Sequence, residues 1–285
     1  MKSDRQEIIK QQKAPILSNR EVAPDVFLME VRSPDVIALG RPGQFLHLRV
    51  SGNDEPLLRR PLSIFSRNAV EGTMGLLFRR VGPGTRLLSE RSPGSDLDLI
   101  GPLGRAFYPP PGIGEALLVA GGLGVAPLFF LAQDLVGKGI AVHFLLGATG
   151  REELFCRDRL QDLGVRLDVS TDDGSQGFHG LVTGLLEQVL ERDRPSSERC
   201  ALFVTGPQPM MKTAAALAHR HRLEAQFSLE RHMACGLGAC WGCVVRCRNE
   251  QGRLVYRRVC IDGPVFDLRE LDWGLPPGGI AGSTA

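Results

Sequence analysis

Three things are missing from this 285-residue chain, and each closes a class of function. There is no excess of charge: 34 basic residues stand against 32 acidic ones, a formal net charge of +2, so nothing points to a nucleic-acid-binding surface. No apolar run approaches the length of a membrane span, and the opening Met1-Lys-Ser-Asp-Arg-Gln-Glu7 has no signal-peptide core, which predicts a cytoplasmic protein without a membrane part. Neither H-E-x-x-H nor G-x-S-x-G occurs, so the six histidines, His219, His221 and His232 among them, are read as packed or solvated and no catalytic nucleophile is assigned. Cysteine is scarce through residue 234, where only Cys156 and Cys200 occur, and then dense. Such crowding suits metal binding in a reducing compartment better than a disulfide framework.

The dense stretch is Cys235-Gly-Leu-Gly-Ala-Cys240-Trp-Gly-Cys243, with Cys260 after a charged, alternating segment. Three thiols at C-x4-C-x2-C and a fourth further on is the plant-type spacing of a [2Fe-2S] cluster. Gly236, Gly238 and Gly242 fit a loop that wraps closely around such a group and aims its amides at sulfur. Val244 to Glu250 and Arg253 to Val259 read as strands around a two-residue turn at Gln251-Gly252. That register sets Cys243 opposite Cys260, about 5 Å apart, and Arg246 opposite Arg257. Two like charges so placed want an acidic neighbour, which makes a docking surface one reading; a solvated arginine-rich hairpin is the other. Cys247, about 13 Å along the strand from Cys243, is read as a bystander. The predicted ligands are Cys235, Cys240, Cys243 and Cys260. A structural zinc site is the other chemistry four cysteines allow, although zinc ribbons favour two separated C-x2-C pairs.

Composition of 43% hydrophobic and 23% charged residues is that of an ordinary globular protein, and the length predicts two or three domains. After a loose polar start through about residue 13, short β-like runs (Val26 to Val31, Gln44 to Val50, Leu62 to Ser66, Gly75 to Val81) are separated by turns, the rhythm of a small antiparallel β-barrel. Within it, Arg59-Arg60-Pro61-Leu62-Ser63 combines a guanidinium fork, a fixed backbone and a hydroxyl, and Gly82-Pro83-Gly84-Thr85 precedes a short helix that Thr85 is expected to cap. Proline-rich breaks at Gly101-Pro102 and Tyr108 to Gly112 end this pattern.

Beyond them strands and helices alternate, with strands at 116–120, 141–147, 166–170, 201–205 and 225–229 and helices at 127–136, 151–163, 181–192 and 210–222. This is the pattern of a doubly wound parallel α/β sheet. Two glycine-bearing turns fall at the carboxyl ends of its strands, where such sheets bind ligands: Gly121-Gly122-Leu123-Gly124-Val125-Ala126-Pro127 and Gly206-Pro207-Gln208-Pro209-Met210. Arg151 would favour an extra phosphate on a dinucleotide and Glu152 and Glu153 a free ribose hydroxyl, and the balance leans to NADH. Thr171-Asp172-Asp173-Gly174-Ser175 is read as a polar turn, and 269–285 as a mobile tail.

The R-P-x-S and G-x-G-T words resemble the flavin sites of the ferredoxin-reductase superfamily. The resemblance implies FAD, with Arg60, Pro61, Leu62, Ser63, Gly84 and Thr85 at the cofactor and Leu77, Phe78 and Arg79 on a further contacting strand. Gly121, Gly122, Gly124, Gly206 and Pro207 are similar to that superfamily's nicotinamide sites. With the word Glu230-Arg-His-Met-Ala-Cys235 and Val259-Cys260-Ile-Asp-Gly-Pro-Val-Phe266, the whole resembles the electron-transfer subunits of type B, NAD-dependent dihydroorotate dehydrogenase. This implies a FAD barrel over 14–110, an NAD domain over 111–224 and a [2Fe-2S] module over 225–268. It also implies a separate FMN-containing dihydroorotate dehydrogenase catalytic subunit as partner, two copies of each chain making a heterotetramer in pyrimidine biosynthesis. The alternatives are an electron-transfer subunit of a ferredoxin:NADP reductase or hydrogenase-type complex, and a zinc-stabilised flavin-binding regulator.

Overall fold

Alternating apolar residues build the first domain, in a computed structural model that describes residues 9–52, 55–195 and 199–274. Its elements run β1 (Lys10–Ala23), β2 (Val26–Arg32), α1 (Pro34–Leu39), β3 (Phe45–Arg49), β4 (Arg60–Ser63), β5 (Ser66–Asn68), β6 (Thr73–Arg79), α2 (Pro83–Ser89) and β7 (Asp96–Leu103). All strand pairs are antiparallel, in the order β4-β3-β7-β1-β2-β6-β5. The outermost strands, β4 and β5, are joined by only Ile64-Phe65. Ile64 still bonds to Gln44 beside β3 while Phe65 bonds to Gly75 on β6, so the chain itself closes the sheet into a barrel. Residues 10–13 belong to β1 and are not loose as expected; residues 1–8 lie outside the described part.

The two-residue period of β3 decides where its side chains go. Leu46 and Leu48 enter the barrel core with Leu76, Phe78, Leu97 and Leu99, whereas Phe45 faces outward into a core shared with the rest of the chain.

The second domain comprises β8 (Glu115–Gly121), α3 (Val125–Gly137), β9 (Ala141–Ala148), α4 (Arg157–Asp162), β10 (Arg166–Thr171), β11 (Phe178–His179), α5 (Val182–Asp193), β12 (Cys200–Thr205), α6 (Gln208–Arg220) and β13 (Glu224–Ser228). Its parallel strands lie in the order β11-β10-β9-β8-β12-β13. The order reverses between β8 and β12, which opens a crevice at their carboxyl ends. The single helix expected over 151–163 is instead a 3-10 turn (Arg151–Glu153) and then α4. Leu154 and Phe155 drop into the core between them, and Cys156 takes a left-handed φ of 72° to make that bend.

The last module is the hairpin β14 (Val244–Arg248) and β15 (Leu254–Arg258), the turn α7 (Val259–Asp262) and β16 (Val265–Asp267), which returns antiparallel onto β13. The hairpin register differs from the expected one by a residue: Arg246 lies opposite Tyr256, and Arg257 opposite Val245. The cause is Asn249, whose side chain accepts the amides of Gln251 and Arg253. A three-residue loop therefore replaces the two-residue turn, with Gly252 left-handed at φ 73°.

Residues 269–274, expected to begin a mobile tail, pack instead; 275–285 lie outside the described residues. Trp273 meets Phe227 edge to face, with ring centroids 4.7 Å apart, and Leu271 is buried. Asp272, its side chain 5% exposed, accepts Arg248 at 2.9 Å and Arg246 at 2.6 Å. The acidic neighbour that the arginine-rich hairpin calls for is thus the chain's own. Asp272→Ala strips both guanidiniums of a covered partner and is expected to cost about 1–3 kcal/mol. Arg246→Ala, at an outer position, should cost under about 1 kcal/mol. Urea denaturation midpoints compare the two. Among the described residues no helix is long and apolar enough to cross a membrane.

Candidate functional site

The barrel, the α/β domain and the segment entering the cysteine loop share the walls of one cleft of about 290 Å³. Pro61, Leu62 and Ser63 of β4, Leu77, Phe78 and Arg79 of β6, and Thr85 face it from the barrel; Leu229 to Arg231 and Met233 face it from the run that leads to Cys235. The paired arginines divide their work. Arg59 is held by Asp98 at 2.9 Å and ties β4 to β7. Arg60 lies over Gly84, where a Cβ would stand 2.4 Å from its Nε. The guanidinium thus sits directly against the first turn of α2, where it and the helix amides can share an anion. Thr85 is not the helix cap expected. Gly82 occupies that position, and the Thr85 hydroxyl, one turn inside α2, accepts the amides of Val81 at 2.9 Å and Gly82 at 3.1 Å.

A second cleft, about 520 Å³, opens where the strand order reverses. Gly121, Gly122, Gly124, Gly206 and Pro207 all line it. Gly124 packs on the opposite turn so closely that a Cβ would lie 2.2 Å from the Thr205 carbonyl oxygen. Gly122 has a left-handed φ of 55° and open space beside it, as a turn that admits a ligand to its backbone requires. Thr171 to Ser175 does more than turn the chain. Asp173 shapes the bend by accepting the Ser175 amide at 2.9 Å, while Asp172 faces the cleft. Glu153, Asp172 and Glu230 also form its wall; the sequence words that hold Asp172 and Glu230 gave neither of them a place at this site. Arg79 and Glu230 border both clefts. Partial desolvation where the two clefts meet raises the Glu230 carboxyl above its usual range, while the residue stays open to solvent on its other side. Arg79 reaches across the domain boundary and donates to both carboxylate oxygens of Glu153, at 3.0 and 2.9 Å.

The four predicted thiols gather as two pairs. Cys243 and Cys260 are buried side by side, and the Cys260 amide donates to Cys243 Sγ at 3.5 Å. Their adjacency comes from the first turn of α7, not from strand pairing: Val259 takes the place opposite Cys243. Cys235 and Cys240 lie within hydrogen-bonding reach of each other. The amide of Leu237 donates to Cys235 Sγ at 3.4 Å and that of Gly242 to Cys240 Sγ at 3.5 Å. Burial works against a Cys235 thiolate, but the amides of Leu237, Cys240 and Ala239 outweigh it and bring the thiol down to about 6. Cys260 is pushed up to about 12, by burial first and its Cys243 neighbour second. Among the described residues no three His, Cys, Asp or Glu side chains converge on one ion. Two thiol pairs with amides aimed at sulfur fit a two-iron cluster. Arg258 braces the loop: it donates to the Gly238 carbonyl at 2.7 Å and stacks 4.5 Å over Trp241, itself at a left-handed φ of 58°. Cys247 is fully buried and bridges to Leu271.

His47 carries no motif and escaped the reading of the sequence. It is buried on β3, its ring edge lies against Gly236, and its Nε2 has no partner among the described residues. Burial, helped by Arg59, lowers its pKa to about 4 from the ordinary 6.5. Between those values the unfolded chain binds a proton that the folded chain refuses, so stability falls as pH drops from 6.5 to 4, by up to about 3 kcal/mol. Urea midpoints measured across that window should fall more steeply for the native chain than for His47→Gln.

Comparison with known proteins agrees with this geometry. Residues 13–108 match the family described as oxidoreductase FAD-binding domain, and 118–216 the oxidoreductase NAD-binding domain. Residues 230–272 match the iron-sulfur cluster binding domain of dihydroorotate dehydrogenase B. The chain is 36% identical over 260 residues to the dihydroorotate dehydrogenase B (NAD(+)) electron transfer subunit of Desulforamulus reducens, covering 91% of this chain and 97% of that one. The subunit of the same name from Bacillus velezensis is 40% identical over 260 residues, covering 90% and 96%. Among solved structures, that of an NADH-dependent reduced ferredoxin-NADP oxidoreductase superposes with a TM-score of 0.80 at 31% identity, covering 93% of this chain and 91% of that one. With this identity over nearly the full length of both chains, and with barrel, nucleotide domain and cysteine module in the same order, the chain belongs to the family of electron transfer subunits of NAD-dependent dihydroorotate dehydrogenase B.

Proposed function

We propose that this chain carries electrons between NAD(H) and an FMN-containing dihydroorotate dehydrogenase catalytic subunit, by way of FAD and a [2Fe-2S] cluster, in a heterotetramer of two copies of each chain. The observation that carries the reading is continuity. The walls of the flavin cleft include Leu229 to Arg231 and Met233, and the chain runs from Met233 to Cys235 with one residue between. Bound FAD and a [2Fe-2S] cluster supply the exchange between a two-electron hydride and single electrons. The protein's part is placement. Arg60 and the amides at Gly84 and Thr85 hold the FAD pyrophosphate, and Pro61 and Leu62 position Ser63 beside the flavin ring. Leu77 and Phe78 shield one side of that cleft from water. Gly121, Gly122, Gly124, Gly206 and Pro207 let the nicotinamide dinucleotide approach the backbone, and Cys235, Cys240, Cys243 and Cys260 hold the cluster. Leu237, Trp241 and Ile261 remain exposed around the ligand loop, which supports a partner surface there.

An anaerobic visible spectrum before and after adding NADH, with iron, zinc and flavin assayed on the same sample, tests the first half. One FAD and two irons per chain, with flavin bands that bleach, are expected. Zinc in place of iron would establish the flavin-binding regulator instead. Co-purification from the native host tests the second half: a dihydroorotate dehydrogenase retained at equal stoichiometry is expected, and its absence defeats the assignment. A subunit of a ferredoxin:NADP reductase or hydrogenase-type complex is the second reading, favoured by the 0.80 TM-score match. It predicts a different retained flavoprotein.

A further inference from the structure

Strand β3 stands between the flavin cleft and the cysteine loop. Phe45 lines that cleft and belongs to the core that also holds Cys243 and Cys260. Two residues on, and on the same outward face, His47 meets the cysteine loop. Its main chain is fixed from both sides. It pairs with Pro61 on β4 and with Ile100 on β7, and its carbonyl accepts Arg59 Nη1 at 3.3 Å. Arg59 is itself held by Asp98. Pro61, directly across from His47, lines the flavin cleft, so one firm piece of sheet carries a flavin wall and the support of the loop.

The loop leans on the ring. Gly236 has a left-handed φ of 67°, and a Cβ there would stand 2.6 Å from His47 Nδ1, 2.9 Å from Cε1 and 3.1 Å from Cγ. The ring also lies within hydrogen-bonding reach of the backbone of Cys235 on one side and of Arg59 on the other. Its Nε2 nonetheless has no partner among the described residues, a cost that a leucine in the same space would not carry. Packing alone therefore does not account for a histidine here. What the ring supports is the start of the segment whose amides face sulfur. The amide of Leu237, next after Gly236, donates to Cys235 Sγ at 3.4 Å. That bond spans Gly236, so the path of the chain at this glycine decides how well the amide is aimed. Hydrogen bonds to the ligand sulfurs are among the features that set the potential of an iron-sulfur cluster.

We propose that His47 is the positioning residue for the Cys235 end of the cluster. Through the Nδ1 edge of its ring against Gly236, the flavin barrel fixes the aim of the Leu237 amide at Cys235 Sγ, and with it the share of electrons that the cluster takes from the flavin. This rests on the reading of the four thiols as the seat of a [2Fe-2S] cluster. His47 acts on the loop backbone and supplies no ligand to the metal.

The test compares the holoprotein with His47→Leu, His47→Asn and His47→Gln after anaerobic reduction by NADH. Electron paramagnetic resonance reads the reduced cluster, and the visible spectrum reads the electrons left on the flavin. For His47→Leu, the equilibrium share of electrons between FAD and cluster is expected to shift by about threefold or more, with altered g-values. Its iron should pass to a chelator about tenfold faster or more. FAD content should be unchanged. His47→Asn sets an amide nitrogen near the place of Nδ1 and should restore most of the wild-type signal. His47→Gln, whose amide reaches the place of Nε2, should not. His47→Leu with wild-type g-values and electron share would overturn the inference and leave the cluster reading standing, even if its urea midpoint falls, because a ring that only fills space moves stability and not the resonance. Restoration by His47→Gln, or none by His47→Asn, would overturn the role of Nδ1. If His47→Leu does not fold, the comparison of His47→Asn with His47→Gln decides on its own. Wild-type protein without iron would overturn the inference and the cluster reading together.

Discussion

Changing Cys243 to serine is expected to give a yellow protein without iron. Cys243 is 3% exposed, accepts the Cys260 amide through its sulfur and shares the core that joins the module to both larger domains. A serine hydroxyl does not ionise at neutral pH, so one iron of the pair loses a thiolate that no neighbour can replace. Loss of an outer partner alone weakens a metal site roughly 10- to 100-fold. Loss of a buried ligand should exceed that and leave essentially no iron or labile sulfide after purification. FAD content should be unchanged, because none of the cleft wall formed by β4, β6 and α2 touches this position. Cys247→Ser is the control. Cys247 is equally buried, with its thiol pushed up to about 11 by burial, yet it stands outside both thiol pairs. It should keep its iron and lose only about 1–3 kcal/mol from a buried hydroxyl. Iron retained by Cys243→Ser and lost by Cys247→Ser would show that the ligand set is wrong.

Gly124→Ala is expected to be the most damaging single-methyl change among the glycines that line the nucleotide crevice. The added Cβ would lie 2.2 Å from the Thr205 oxygen, 2.6 Å from its carbonyl carbon and 3.0 Å from the Gly206 nitrogen. All three are backbone atoms, so relief requires parting the two glycine turns and the carboxyl ends of β8 and β12. Overpacking in a firm core costs about 1–3 kcal/mol, sometimes more. With backbone on every side, about 3 kcal/mol or more is expected, and with it loss of flavin reduction by NADH. Gly122→Ala meets open space and carries only the left-handed backbone penalty of about 1–2 kcal/mol. Urea denaturation and the rate of flavin bleaching separate the two. A Gly124→Ala protein as stable as Gly122→Ala would contradict the packing described for the crevice.

The parts legible in the sequence were those whose physics is local. Spacing of Cys235, Cys240 and Cys243 names a cluster because thiols five and three residues apart must share one loop. Alternating apolar residues in β3 and β6, and the change to a strand-helix rhythm after Gly112, give the two fold classes for the same reason. The hairpin shows the limit. Its existence followed from patterning, but its register turned on the Asn249 side chain, and Arg246 found its acid in Asp272, part of a segment that composition marked as tail. His47 carries no motif, and Glu230 stands in one only as the start of the run to the cysteine loop, because their meaning lies in what surrounds them: a loop glycine for one, two clefts for the other.

Sequence alone determined the identity of the three modules and their order, and it singled out Cys235, Cys240 and Cys243, since each of these rests on residues close along the chain. Tertiary structure alone decided how they join: Arg79 of the barrel grips Glu153 of the nucleotide domain, and residues 229–233 carry the flavin cleft to the cysteine loop. Those contacts link residues dozens of positions apart, and it is burial and hydrogen bonding across the closed domains, not local spacing, that select them.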